Sequence, residues 1–447
     1  MSDWAHFLKQ NPQLKSVDVL IGDINGVLRG KRIPSADLHK LFSGELCLPR
    51  AMVLLDTIGE ASTAIPYGFP DGDPDRPLIA LPDTLVPVPW SDGERGQILT
   101  LMSDEPNEPF VANSRTVLAQ CVDSLRNTGF HPVVAVELEF ILFDLKASQL
   151  TPASIPVDQG SVHGPQTYHL ELMQEHEAFL RDIEAACAAQ AIPIGACLSE
   201  YGDGQFEINL RHTGDVLKAC DQAILLRRVV RQVSRQHGLL ASFMAKPSVD
   251  NSGNGMHVHV SLLNESGENL FAPANEPLVP ALQQAVGGTL ALMPSSMALF
   301  APNANSYRRF MPDTFVPLVA DWGYDHRAVA VRIPYARAEA TRLEHRCAGA
   351  DANPYLVVAA VLAGIEHGLA TQTSPGTPTS GDTVSPDAAV LPCRWREALV
   401  AFDSDPTIRS AIGEQFASLY STVKAGEEAA FHQASTALDY QHYLRTL

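Results

Sequence analysis

The chain has 447 residues, 45% hydrophobic and 19% charged, and its 32 Lys+Arg against 51 Asp+Glu give a net charge of −19. That composition excludes disorder as the main state, and at roughly 150 residues per domain it allows two or three domains or one large domain with an appendage. The acidity excludes general binding to nucleic acid or to an anionic membrane surface. The apolar stretch 356–365 reaches only about half of the ~20 residues a membrane helix needs, so no membrane span is expected. The N-terminus lacks the pattern of a secretory signal. The seven cysteines (Cys47, Cys121, Cys187, Cys197, Cys220, Cys347, Cys393) form no C-x-x-C pair. Free thiols and a cytoplasmic location are the expectation.

In chain order, a helix is expected over 3–9. The run SVDVLIGDINGVLRGKRIP (16–34) follows, with Asn25-Gly26 between two strand-like segments, a hairpin signal in which both turn residues accept positive φ. Short strands separated by Pro, Gly and Asp carry the chain to about residue 105. The polar, Pro-bearing segment 103–109 marks a boundary between domains at 1–105 and 106–447. Beyond it, amphipathic helices (114–128, 173–190, 214–237, 278–293) alternate with strands (132–143, 203–211, 255–263, 328–334, 342–347), an α+β pattern with an antiparallel or mixed sheet. Residues 371–388 are rich in Ser, Thr, Pro and Gly and read as a flexible loop.

The chemistry sits on those strands. Alternate residues of a strand share a face, so Glu137 and Glu139 of VELEF stand side by side and repel unless a cation neutralises them. Glu200 and Glu207 flank the turn in EYGDGQFE, and His257 and His259 repeat the period-two spacing in GMHVHV. Arg342, Glu344 and Arg346 share a face in TRLEHRC, with Leu343 and His345 opposite. Arg308, Arg309, Arg327 and Arg332 lie nearby in sequence. Each cluster alone has an ordinary explanation as a solvated pair, a half-buried histidine pair or a surface ion-pair ladder. Together they form a donor set for divalent metals held against a polyphosphate and a carboxylate. Neither a P-loop nor a G-x-S-x-G nucleophile elbow is present.

The motifs VELEF, EYGDGQFE, KPSVDNSGNGMHVHVSL, NSYRRF, RAVAVRIP and RLEHRCAGADANPYL, in that order, resemble the glutamine synthetase superfamily over nearly the whole chain. DINGVLRGKRIP looks like the γ-glutamylpolyamine synthetase branch, which ligates amines other than ammonia. The resemblance implies a small N-terminal β-grasp domain and a catalytic domain with a curved antiparallel sheet and helices. It also implies a homo-oligomeric ring, a hexamer or dodecamer, with active sites between subunits. It makes Glu139, Glu200 and Glu207 ligands of one metal (Mg²⁺ or Mn²⁺) and Glu137, His257 and Glu344 ligands of a second. His259, Ser261, Arg327, Arg332 and Arg342 would face ATP. Gly253, Arg309 and Arg346 would hold glutamate.

The implied reaction converts the glutamate γ-carboxylate into an acyl phosphate, which an amine then attacks. One departure from the family pattern bears on the amine. The position of the flap glutamate that closes over ammonium falls on Phe315 here, with Asp313 the alternative if the alignment shifts. An amine other than ammonia is therefore expected, a polyamine or a bulky or aromatic monoamine. Asp56 is the candidate for an acid lent by a neighbouring subunit. The alternatives are an ordinary ammonia-using glutamine synthetase and a non-catalytic relative.

Overall fold

The computed structural model describes residues 3–105, 108–145, 155–157, 160–162, 167–273, 278–312, 314–382 and 384–445. Helix α1 (Asp3–Gln10) leads into an antiparallel hairpin of β1 (Ser16–Gly22) and β2 (Leu28–Pro34). The hairpin is where the sequence places it, but its connection spans Asp23–Val27. Asp23 Oδ1 accepts from the N–H groups of Asn25 (2.8 Å) and Val27 (2.9 Å), so the aspartate organises the turn. Only Gly26 adopts positive φ, at 72°. With β3 (Cys47–Pro49), β4 (Asp75–Ala80) and β5 (Arg95–Glu105) the sheet order is β2-β1-β5-β4-β3. The central β1–β5 pair is parallel, and the interior of β1 is buried throughout, its apolar run interrupted by Asp18, which pairs with Arg32 and Arg228. The short strand Glu108–Pro109 also pairs with β5, so this sheet continues past residue 105.

The second sheet has eight strands: β6 (His131–Asp144), β7 (Ile194–Ser199), β8 (Gln205–Leu210), β9 (Leu239–Ser242), β10 (Met256–Leu263), β11 (Trp322–Tyr324), β12 (Val331–Ile333) and β13 (Leu343–His345). Their order is β7-β8-β6-β10-β13-β12-β11, with β9 also on β6. Only β11–β12 is parallel. Val134, Val136, Leu138 and Phe140 of β6 are all 0% exposed on the face covered by helices. That alternation turns Glu137 and Glu139 to the other face.

The helices α2 (Ser114–Asn127), α3 (Glu177–Ala189), α4 (Val216–Gln236), α5 (Pro280–Phe300), α6 (Pro354–Thr371), α7 (Trp395–Ser404), α8 (Pro406–Ile412) and α9 (Glu414–Gln433) complete the core. The expected helix over 173–190 is broken at His176, where α3 begins after the short helix Leu170–Glu175. α5 outruns its expected end because burial carries it through Pro294, and the Ser295 and Ser296 hydroxyls donate to Leu292 O. α6 is longer than its most apolar run; it has the mean hydropathy (1.4) of a membrane span, yet 72% of it is buried inside the protein. The segment 371–388 is irregular but anchored, since Thr379 Oγ1 donates to Asp321 Oδ2 (2.7 Å) and Trp322 Nε1 to Gly376 O (3.2 Å).

Asn353 fastens the two parts of the chain. Its Oδ1 caps α6 at Tyr355 N (3.1 Å), and its Nδ2 donates to Asp23 O, Ile24 O and Ser114 Oγ. Beside it, Asp221 accepts from Arg115 (2.8 and 3.0 Å) and the Tyr355 hydroxyl (2.7 Å). α5 and α6 cross backbone to backbone: a Cβ on Gly368 would lie 1.9 Å from Gln284 O. Gly368→Ala therefore forces the helices apart. We expect a loss of about 1–3 kcal/mol, the usual cost of overpacking, read as a lowered thermal midpoint.

Candidate active site

The antiparallel register assembles the polar face. Opposite Glu137 on β6 lie Asn209 of β8 and His257 of β10, and opposite Glu139 lies Glu207 of β8. Opposite Glu344 on β13 lie His259 of β10 and Arg332 of β12. Residues far apart in sequence thus form two rows across neighbouring strands. The structure joins Glu137, Glu139, Glu207, His257, His259 and Glu344 in one cluster, with Arg332, Arg342, Arg346 and Arg309 around it.

The contacts are specific. His259 Nε2 lies 2.9 Å from Glu137 Oε1, and His257 Nδ1 lies 3.3 Å from Glu137 Oε2 and 3.9 Å from Glu344 Oε1. His257 Nε2 is 4.0 Å from Glu139 Oε1. Arg346 and Arg332 both donate to Glu344, Arg332 at 2.8 Å, and Arg332 also pairs with Asp325. Arg342 Nε donates to His259 Nδ1 at 3.1 Å.

Two groups of donors have ligand atoms within 4.8 Å of one another: Glu137, Glu207 and His257, and Glu137, His259 and Glu344. Glu137 belongs to both, whereas Glu139 and Glu200 stand outside these groups. The mix of carboxylate oxygens and imidazole nitrogens suits a divalent cation such as Mn²⁺, and the carboxylates suit Mg²⁺. The space suits it too: a Cβ on Gly255 would sit 2.9 Å from Arg309 Nη2, 3.1 Å from His257 Nε2 and 3.4 Å from Glu139 Oε1.

Burial and like charge raise some of the acids, and opposite charge lowers others. Burial alone would raise Glu137, but His259 and His257 outweigh it and hold its carboxyl far below the usual range. Glu344 resists the same desolvation through Arg346 and the two histidines and falls to about 2. Burial, then the neighbouring Glu139, pushes Glu200 up to about 7. Burial and four surrounding carboxylates carry Glu207 well above its ordinary value. Positive charge is scarcest at the Glu200–Glu207 end.

Beyond the rows, Arg309 is buried and donates to the carbonyls of Cys347 (2.8 Å) and Ala348 (3.2 Å). A Cβ on Gly253 would lie 2.9 Å from Arg309 Cγ, so glycine makes this approach feasible. Ser261 falls on the face of His257 and His259, opposite Val133. Arg327 is exposed and contributes to the field at Glu200. Phe315 is 62% exposed, and Asp313 lies outside the described residues.

Asp56 is not brought to the cluster within one chain. It lines a cavity with Arg227, Arg231 and Phe243. Arg227 reaches Met256 Sδ (3.8 Å) and Phe243 packs on Phe140 (5.5 Å), both on the helix-covered face of the sheet. Two supporting side chains, Gln205 and Asn209, escape a reading based on charge. Gln205 Nε2 bridges Glu139 Oε2 (3.2 Å), Gly253 O (2.9 Å) and Asn254 Oδ1 (3.1 Å). Gly255 N donates to Glu139 Oε2 (2.7 Å), and Asn209 Nδ2 to Glu137 Oε1 (3.0 Å). The signal for Gln205 and Asn209 was present: both share the period-two face of Glu207.

The model of the glutamine synthetase catalytic domain matches residues 111–443. The chain is 39% identical over 442 residues to γ-glutamylputrescine synthetase PuuA of Escherichia coli (strain K12), covering 98% of this chain and 93% of that one. It is 30% identical to glutamate–isopropylamine ligase of Pseudomonas sp, over 91% of this chain and 89% of that one. The solved structure of GmaS without ligand superposes with a TM-score of 0.86 at 26% identity, covering 100% of both chains. On the strength of the domain match, the near-complete relatives and the shared fold, this chain belongs to the glutamine synthetase family.

Proposed function

We propose that the protein is an ATP-dependent glutamate–amine ligase that joins the γ-carboxylate of glutamate to an amine other than ammonia. The observation that carries this reading is the full-length similarity to enzymes named for organic-amine substrates. The Phe315 side chain, standing where the family flap places a carboxylate, adds weight. ATP and Mg²⁺ or Mn²⁺ are the cofactors that the family and the donor set point to.

A carboxylate resists attack because its leaving group would be oxide. Transfer of the γ-phosphoryl of ATP to the glutamate γ-carboxylate gives an acyl phosphate, and phosphate then leaves when the amine adds. Bound divalent metal would neutralise phosphate charge between the carboxylate rows. Arg309, fixed by backbone carbonyls, and Arg346, fixed on Glu344, are the pre-positioned partners for glutamate, with Gly253 leaving room beside Arg309. Exposed Arg327 is free to follow the transferring phosphoryl, while Arg332 and Arg342 are held by Glu344 and His259 on the nucleotide side. His259 and Ser261 extend that side along β10. An alkylamine, with a pKa of roughly 10, must lose a proton before it attacks. Asp56, which lines a cavity away from the carboxylate cluster of its own chain, fits an acid lent to a neighbouring subunit in a hexameric or dodecameric ring.

Phosphate release with ATP, Mg²⁺ and glutamate should be faster with putrescine, spermidine, an alkyl monoamine or phenylethylamine than with ammonium. Ammonium winning the panel would make the protein an ordinary glutamine synthetase. Phe315→Glu should shift the preference towards ammonium by about tenfold or more, since a charged partner for a cation contributes about 1.5–3 kcal/mol. An unchanged ratio would remove Phe315 from the amine site.

The raised carboxyls have a second consequence. At Glu200 and Glu207 the folded chain retains protons that the unfolded chain has released, so metal-free stability is full below pH 4.5 and falls as pH rises towards 7. Glu137 and Glu344 act in the opposite sense, and their contribution is lost only as pH falls below 4.5. We therefore expect the thermal midpoint of EDTA-treated protein to drop by a few degrees across that upper window. Mn²⁺ should reverse the drop with proton release detectable by calorimetry. A flat profile with and without Mn²⁺ would argue against a metal at these carboxylates.

A further inference from the structure

A cavity of about 560 Å³ lies on the helix-covered side of the catalytic sheet, away from the carboxylate face. Its volume is in the range of small-molecule sites. Arg227 and Arg231, four residues apart on α4, both line it. Arg227 is 4% exposed; its Nη2 donates to Ala352 O and its Nε has no partner. Arg231 lies over the Phe243 ring at 5.2 Å, and no ion pair holds it among the described residues. Trp395 Nε1 and Asp351 Oδ1, both buried atoms of cavity-lining residues, are also without partners. The other cation of the wall, Lys424, is already matched by Glu427 (2.6 Å). The apolar share of the lining comes from Phe243, Met244, Trp395 and Phe431.

A buried guanidinium with no carboxylate in ion-pair contact, a second arginine one turn away and an indole N–H form a set of unmatched donors, in a wall that also holds Asp56, Asp351 and Glu427. Burial and then the nearby Arg231 pull the Arg227 guanidinium down to about 9, against the charge of Asp351, which favours the cation. We propose that this cavity is a second ligand site, which takes a small organic carboxylate: the anion on Arg227, Arg231 and Trp395 Nε1, its apolar body on Phe243 and Phe431. The Arg fork matches a carboxylate in two bonds, and the aromatic walls favour a hydrocarbon body over a bare anion. Asp351 Oδ1 is left for a donor group on the ligand, such as an ammonium.

The site has a physical route to the catalytic face. The other oxygen of Asp351, Oδ2, accepts from Asn303 Nδ2 (2.8 Å) and Ser306 Oγ (2.6 Å). Those residues open the turn that ends in Arg309. A ligand that engages Asp351 bears on the segment that places Arg309.

The test is calorimetry and ligand-observed NMR on the full-length protein, with 3-phenylpropionate, phenylalanine and inorganic phosphate as separate probes. No turnover is needed, so this inference and the ligase reading fail independently. Arg227 is buried and its replacement risks unfolding, so Arg231→Gln and Trp395→Phe are the informative variants. We expect saturable binding of 3-phenylpropionate or phenylalanine in the millimolar range or tighter, weakened about tenfold or more by Arg231→Gln at an unchanged thermal midpoint. The stronger of the two organic probes reports whether Asp351 takes an ammonium. Absence of saturable binding, equal binding by both variants and wild type, or inorganic phosphate binding as well as the organic acids would overturn the proposal.

Discussion

Crowding of carboxylates on one face of a sheet is the constraint from which the site follows. Strand periodicity and antiparallel register place Glu137, Glu139, Glu207 and Glu344 on neighbouring strands, and the protein meets their repulsion unevenly. Glu344 has two arginines and Glu137 two histidines, whereas Glu139 accepts from Gly255 N and Gln205 and has His257 no nearer than 4.0 Å. Glu207 and Glu200 respond by keeping their protons. The missing positive charge is therefore localised at the Glu139–Glu200–Glu207 end, which is where the family resemblance places one of its metals. A bound divalent cation would supply the charge missing there.

Such a face needs a rigid back. The apolar side of β6 is sealed by α4, and the strand reaches full burial at alternate positions. The α5–α6 pair is held closer than side chains allow by glycine at the crossing. Asn353 then ties the start of α6 to the N-terminal hairpin and to α2 through four bonds from one side chain. A carboxamide suits this task, because it has two donors and an acceptor and carries no charge that burial would penalise.

Period-two spacing made much of the site legible in the sequence. E-x-E, H-x-H and R-x-E-x-R on apolar strands state which side chains share a face, and the register then brings those faces together. What the spacing could not convey is partnership across strands: that His259 meets Glu137 as well as Arg342, or that Glu137 is common to two donor groups. The neutral residues Gln205 and Asn209 passed unnoticed because a search for charge overlooks the groups that orient charge. Helix ends were misread where burial overrides propensity, as at Pro294, and the three-residue strand β11 is too short for a periodic signal. The anchoring of 371–388 was hidden for the same reason: its hold on the sheet comes from Thr379 and the Gly376 carbonyl, not from its composition.

The two faces of the catalytic sheet carry different chemistry. One holds the clustered carboxylates with their histidines and arginines, and the other, behind α4, a cavity walled by Arg227, Arg231, Asp351 and aromatic side chains. Between them runs the segment from Arg346 to Asn353. It begins at Arg346, supplies the carbonyls that fix Arg309, carries Asp351 into the rear cavity and ends at the cap of α6. A segment bonded at so many points cannot shift at one end alone. Strain applied at Asp351 is shared with Ser306 and with the Cys347 and Ala348 carbonyls, and Arg309 is held by both. Packed interiors transmit displacement because they have little free volume to absorb it. The residue that is hardest to move independently of the rear cavity is therefore the arginine assigned to glutamate.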